Sequence, residues 1–122
     1  MQPLDNNLVK QRIEAGRKRL HVTSLCPKGI CINLFGHLFT RDDSWISDRV
    51  INHELIHTAQ LRELLYIPFY LLYLIEWGIK IIMYRNIWTA YRNISFEREA
   101  YTHGDDMEYL SHRRHMAWIK YL

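Results

Sequence analysis

His53-Glu54-Leu55-Ile56-His57 constrains this chain more than any other stretch, because these five residues form a usable set of groups only when wound into a helix. At about 3.6 residues per turn, His53 and His57 fall one turn apart on one face, where both imidazoles can reach a tetrahedral Zn²⁺ about 2.0 to 2.1 Å away. Glu54 lies beside that face. It is too far round to be an easy third ligand, yet well placed to take a proton from a water in the fourth coordination position. The pattern predicts metal-assisted hydrolysis with one Zn²⁺ per chain. Its flanks agree with a helix over about 46 to 64, since Val50, Ile51, Leu55, Ile56, Ala59, Leu61 and Leu64 place apolar groups at helical spacing. Ser44, Ser47 and Asp48 offer caps or a first-turn carboxylate. Gln60 stands seven residues after His53 and so also looks toward the metal side.

Two imidazoles leave a zinc site short of one protein ligand, the fourth position of a hydrolytic site being kept for water or substrate. The candidates lie forty residues after His57, in Ser95-Phe96-Glu97-Arg98-Glu99-Ala100-Tyr101, a stretch of good helix formers able to pack as a second helix against the first. Glu97 and Glu99 would point about 200° apart on that helix, so one of them can face the site and the other cannot.

With His53-Glu54-Leu55-Ile56-His57-Thr58-Ala59-Gln60 and Phe96-Glu97-Arg98-Glu99-Ala100-Tyr101 in view, the chain resembles the gluzincins, and among them the small minigluzincins. These are zinc metallopeptidases whose third ligand is a Glu on a later helix, the first residue of an E-x-x-A arrangement. The resemblance implies Glu97 as that ligand, His53 and His57 as the other two, Glu54 as the catalytic base, and a peptide or protein as substrate. A zinc-binding module of peptidase ancestry that recognises peptides without useful turnover is the alternative. Many gluzincins carry an Asp four residues after the ligand Glu, where it holds a ligand His; here that residue is Tyr101. Asn52, Asp43, Asp48, Asn93 and Asp105 are candidates for the missing partner. The family's donor to the developing oxyanion would be Tyr101 or His103.

At 122 residues the chain reads as one domain, 1–122, with 48% hydrophobic residues, enough for a core of its own. The formal charge is +3, with Lys10, Arg12, Arg17, Lys18 and Arg19 clustered near the start. That cluster lacks interleaved aromatics and matches no nucleic-acid module, so a solvated helix face is expected and nucleic-acid binding is not. Cys26 and Cys31 do not make a C-x-x-C pair; free thiols are expected, with a disulfide or a second metal site with His21 or His37 as alternatives. The opening Met-Gln-Pro-Leu-Asp-Asn-Asn lacks the basic start and apolar run of a secretory signal, which predicts a cytoplasmic location.

The expected fold class is α+β. An N-terminal helix over 6–18 precedes a small two- or three-stranded antiparallel sheet within 20–25 and 29–40, with a bulge or turn at Gly36-His37. The motif helix and two or three further helices follow, over 68–84, 88–110 and a terminal piece from 111 to 121. Gly29 to Thr40 is a candidate edge for an extended peptide, or an edge covered by a loop. The run from Tyr66 to Ile75 is ten residues of apolar and aromatic side chains, after which Glu76 and Lys80 interrupt it. That is short of the roughly twenty residues of a membrane span. A buried or amphipathic helix with Pro68 in its first turn is predicted; peripheral membrane contact or dimerisation through 64–84 is the alternative.

Overall fold

The structure is a computed structural model that describes residues 3–122. Its elements follow the predicted α+β order. Helix α1 (Pro3–Lys18) leads into strands β1 (Leu20–Val22), β2 (Cys31–Leu34) and β3 (His37–Thr40), then a short 3-10 turn at Asp43–Trp45. Helix α2 (Asp48–Glu63) carries the motif, and α3 (Ile67–Tyr84), α4 (Ile87–Arg92), α5 (Ser95–His103), α6 (Tyr109–His112) and a 3-10 turn at Ala117–Tyr121 complete the chain.

The sheet is mixed rather than antiparallel. β2 and β3 form an antiparallel hairpin, but β1 runs parallel to β3, giving the order β1-β3-β2. β3 alternates two buried residues, Leu38 and Thr40, with more exposed ones, and therefore takes the centre. The hairpin turn sits one residue earlier than predicted, at Phe35 and Gly36, whose φ values of 55° and 91° match the left-handed two-residue turn that suits strand twist. Within the predicted edge only β2 is an edge strand, on the cleft side; the remainder, β3, is interior.

Helix α2 is the pillar of the fold. Ser47 caps it by accepting from the Val50 N–H, and Asp48 complements the positive end of the helix dipole. It contributes a wholly buried residue to each of three apolar clusters: Ile51 against Ile13, Leu38 and Ile46; Ile56 against Ala100 and Tyr109; Leu61 against Phe69, Ile94, Phe96 and Trp118. Burying each such side chain contributes about 1.5–3 kcal/mol, which fixes α2 on several sides and with it the groups it displays. Helix α1 lies close along α2 because residue 16 is glycine; a Cβ there would stand 2.9 Å from Ile51 Cγ2 and 3.1 Å from Leu55 Cδ2.

The single helix predicted over 88–110 is instead three, and four α-helices follow α2 rather than two or three. Side chains from distant parts of the chain hold the breaks. Glu76 accepts from the Ser95 N–H at 2.7 Å and the Ser95 hydroxyl at 2.6 Å, while Lys80 Nζ donates to the Asn93 carbonyl at 2.9 Å. Past the end of α5, the Asn52 amide donates to the carbonyls of Gly104 and Asp106, both at 3.0 Å. The predicted helix over 68–84 is present with Pro68 in its first turn, but it is not buried: only 6% of its residues are. Its length and mean hydropathy of 1.4 are those of a helix able to cross a membrane.

Candidate metal centre

Three side-chain atoms meet under the cleft between α2, α3 and α5. His53 Nε2 lies 3.2 Å from His57 Nε2, and Glu97 Oε1 lies 3.3 Å from the first and 3.2 Å from the second. Donor atoms about 2.0–2.1 Å from a tetrahedral Zn²⁺ stand about 3.3–3.4 Å from each other, so this near-equilateral triangle has the size of one face of such a tetrahedron. Two imidazoles and a carboxylate are also the donor types zinc takes, and among the described residues they are the one group of three or more His, Cys, Asp or Glu so arranged. The residues fit the ion. Glu99, two positions on, turns away from the triangle into a buried network, as the helical spacing required.

Each of the three side chains is held or packed from behind. His57 Nδ1 lies 2.8 Å from Gln60 Oε1, and Gln60 Nε2 donates to Glu99 Oε1 at 2.9 Å and to the Phe96 carbonyl at 3.1 Å. Because the Gln60 oxygen accepts, His57 carries its hydrogen on Nδ1 and keeps Nε2 for the triangle. Glu99 is held in turn by Tyr109 Oη at 2.6 Å and by Arg113, whose other guanidinium nitrogens reach Glu63 at 2.7 and 3.0 Å. The free oxygen of Glu97 accepts from Tyr73 Oη at 2.6 Å. His53 packs edge-on against the Tyr101 ring, 4.6 Å between centroids, and the Arg92 guanidinium carbon lies over that ring, 4.0 Å from its centroid.

Burial and charge set the protonation of the site. Burial alone would lower His57, but the Glu97 carboxylate beside it, with Glu54 and Gln60, holds it up at about 9. Burial would raise Glu97, yet the two histidines keep its carboxyl well below the usual range. His53 is lowered, mainly by burial. Without an ion, the Glu97 carboxylate thus favours a proton on His57, so a cation and a proton compete for the centre. Glu54 is pushed up to about 8 by burial.

Glu54 and the triangle form part of the floor of a cleft of about 650 Å³. β2 makes one wall, Arg49 and Val50 of α2 lie near the base, and an aromatic wall comes from Phe69, Tyr73 and Trp77 of α3 with Trp88 and Tyr91 of α4. Asn33 ties β2 to the motif helix, donating from Nδ2 to the Glu54 carbonyl and to Thr58 Oγ1, both at 3.0 Å. Cys31 also lines the cleft, free and half-buried, its thiol pushed up to about 12 by burial and by Glu54; Cys26 is free and buried. Neither thiol joins His21 or His37, which face each other at 3.2 Å on the exposed side of the sheet.

Of the residues singled out in the sequence, His53, Glu54, His57, Glu97 and Tyr101 line the cleft and Gln60 stands directly behind His57. His103 does not reach it: its ring stacks on Tyr109 at 3.8 Å and its Nε2 lies 2.8 Å from Tyr121 Oη, because α5 has turned that position to the opposite side. None of the five candidates for the missing partner is hydrogen-bonded to His53 or His57. Asn52 braces the end of α5, Asp48 pairs with Arg17, Asp105 with Arg49, Asn93 bonds within α4, and Asp43 sits in the 3-10 turn. Gln60 holds His57 instead, and Glu99 supplies the negative charge one bond further back. Sequence reasoning missed Tyr73, Glu63 and Arg113. A signal for the first exists: Tyr73, Glu76 and Lys80 fall at spacings of three and four, which marks one helix face with polar atoms to satisfy.

Compared with known proteins, the chain matches no family model, no curated protein and no solved structure.

Proposed function

We propose that the chain is a zinc metallopeptidase of the gluzincin type. The observation that carries this reading is the triangle of His53 Nε2, His57 Nε2 and Glu97 Oε1, with edges of 3.2 to 3.3 Å, opening into a cleft beside Glu54. When bound, the ion supplies Lewis acidity that polarises a peptide carbonyl and acidifies a water. The remaining work belongs to the chain. Gln60 and Tyr73 keep His57 and Glu97 in register for the ion. Glu54 takes the proton of the attacking water on its carboxylate and passes it to the leaving amine nitrogen, the two-way task of a general base that then serves as the acid. The Tyr91 and Tyr101 phenols, both in the cleft, offer donors toward the carbonyl oxygen. The apolar, aromatic lining suits an extended peptide with hydrophobic side chains.

A zinc-binding peptide-recognition module without turnover is the second reading. It is favoured by Tyr70, whose Oη donates to the Asn33 carbonyl at 3.0 Å and so occupies part of the β2 edge that a substrate strand would pair with. Elemental analysis of the purified chain, with His57→Ala beside it, tests the metal: close to one zinc per chain is expected, lost in the variant, and a metal-free wild type overturns both readings. Glu54→Gln assayed on a diverse peptide library separates them. The peptidase reading expects zinc retained and cleavage abolished; zinc without cleavage in the wild type itself leaves the recognition module.

A further inference from the structure

Helix α3 wears its polarity inside out. Its inward side holds the groups that could bond to water, and each is committed internally: Tyr70 to the Asn33 carbonyl, Tyr73 to Glu97, Glu76 to Ser95, and Lys80 to the Asn93 carbonyl with Glu76 at 3.6 Å. The outward side is Ile67, Leu71, Leu74, Ile75, Ile79 and Ile82, all more than half exposed. A helix at the surface of a protein surrounded by water shows the reverse arrangement, and scattered exposed leucines do not form a continuous face.

Charge and aromatic placement say what covers this face. Between Leu64 and Phe96 the single acidic residue is Glu76, which is turned inward, whereas the exposed charges are cationic, Arg85 at the end of α3 and Arg92. Exposed rings frame the strip, Tyr66 at one end and Tyr84 and Trp88 at the other. An uncharged aliphatic strip about 24 Å long at 1.5 Å per residue, bounded by aromatic rings and arginine, complements acyl chains, the headgroup layer and lipid phosphates in turn. A protein surface would be a poorer match, since such interfaces carry about one hydrogen bond per 100–200 Å² and this strip offers no side-chain donor or acceptor along its length.

We infer that α3 lies in the plane of an anionic lipid bilayer, with its outward aliphatic face in the acyl boundary and the remainder of the fold above it. The helix does not cross the bilayer, because its inward face is occupied by the core around Phe69, Phe96 and Trp118 and by the bonds to Asn33, Ser95 and Glu97. Leu74 and Trp88 belong to both the exposed strip and the cleft wall, so the cleft meets the lipid surface. Resting on the peptidase reading, this makes the substrate a peptide segment held at the membrane surface.

The test is flotation of the purified chain with phosphatidylcholine vesicles containing phosphatidylglycerol, and with pure phosphatidylcholine. The wild type is expected to float with the anionic vesicles; the triple variant Leu71→Glu, Ile75→Glu, Ile82→Glu should lose on the order of tenfold or more in partitioning. Arg85→Glu should lose about fivefold on the anionic vesicles and little on the neutral ones. Ile82→Glu alone, at the most exposed of these positions (78%), gives the same reading in part if the triple variant fails to fold by circular dichroism. A wild type that stays in solution overturns the inference. So does a wild-type dimer that the triple variant converts to monomer without any vesicle binding, since a second copy would then cover the strip. Zinc content, read on the same samples, is expected to be equal in wild type and variants; its absence from all of them would strike the peptidase reading and leave the lipid result standing.

Discussion

Tyr73 Oη donates to Glu97 Oε2 at 2.6 Å, and by occupying that oxygen it leaves Oε1 to face the two imidazoles. One bond thereby connects the exposed helix α3 to the candidate metal centre on α2 and α5. The same side of α3 also carries Phe69, which is buried against Phe96, so the carboxylate's orientation and the seating of the helix are set together.

Tyr73→Phe should weaken zinc binding by about 10–100-fold, because Glu97 would then be free to rotate and would lose a charge-assisted bond. Gln60→Leu should weaken it in the same range by releasing His57. Competition with a chelating dye measures both. Affinities within twofold of wild type would mean that these contacts do not orient the ligands.

Arg113 sits between Glu63 and Glu99 with all three side chains nearly excluded from solvent. Arg113→Met should destabilise the fold by about 3–5 kcal/mol, since two buried carboxylates would lose their counter-ion. The pH dependence has a definite sign. Burial would raise Glu99, but Arg113, Tyr109 and Gln60 outweigh it and hold the carboxyl below the usual range. A lowered folded-state value gives stability that is complete above the unfolded value of about 4.3 and is lost as pH falls through the folded one. Urea unfolding across that acid range should therefore show a steep loss in the wild type and a flatter curve in Arg113→Met; parallel curves would refute the assignment.

Gly16→Ala is expected to destabilise by about 1–2 kcal/mol, although the same change in an exposed helix interior stabilises by about 0.8–1.0 kcal/mol. The added Cβ would stand 2.9 Å from Ile51 Cγ2, forcing α1 away from the helix that carries the motif. Thermal unfolding decides the sign, and a raised melting temperature would show that the α1–α2 contact yields without cost.

Much of the helix order was legible because it is local. The spacing of His53, Glu54 and His57 sets their faces as soon as a helix forms, and Ser47 with the apolar pattern of Ile51, Ile56 and Leu61 makes that helix form there. The opposition of Glu97 and Glu99 followed from the same geometry. The break at Asn93 was not local: it depends on Glu76 and Lys80 reaching Ser95 and the Asn93 carbonyl from another helix. The parallel pairing of β1 with β3 likewise depends on which strand offers Leu38 and Thr40 to the core.

By itself, then, the sequence determined a helix with two imidazoles one turn apart, a carboxylate beside them, and an apolar helix downstream. Tertiary structure alone decided that Glu97 Oε1 closes the triangle, that Tyr73, Gln60, Glu99 and Arg113 brace it, and that α3 turns its aliphatic side outward. The physical reason is range. Helical periodicity is fixed by bonds between neighbours four residues apart, whereas each buried polar group must find a partner tens of residues away, and those partners choose which face of a helix goes in.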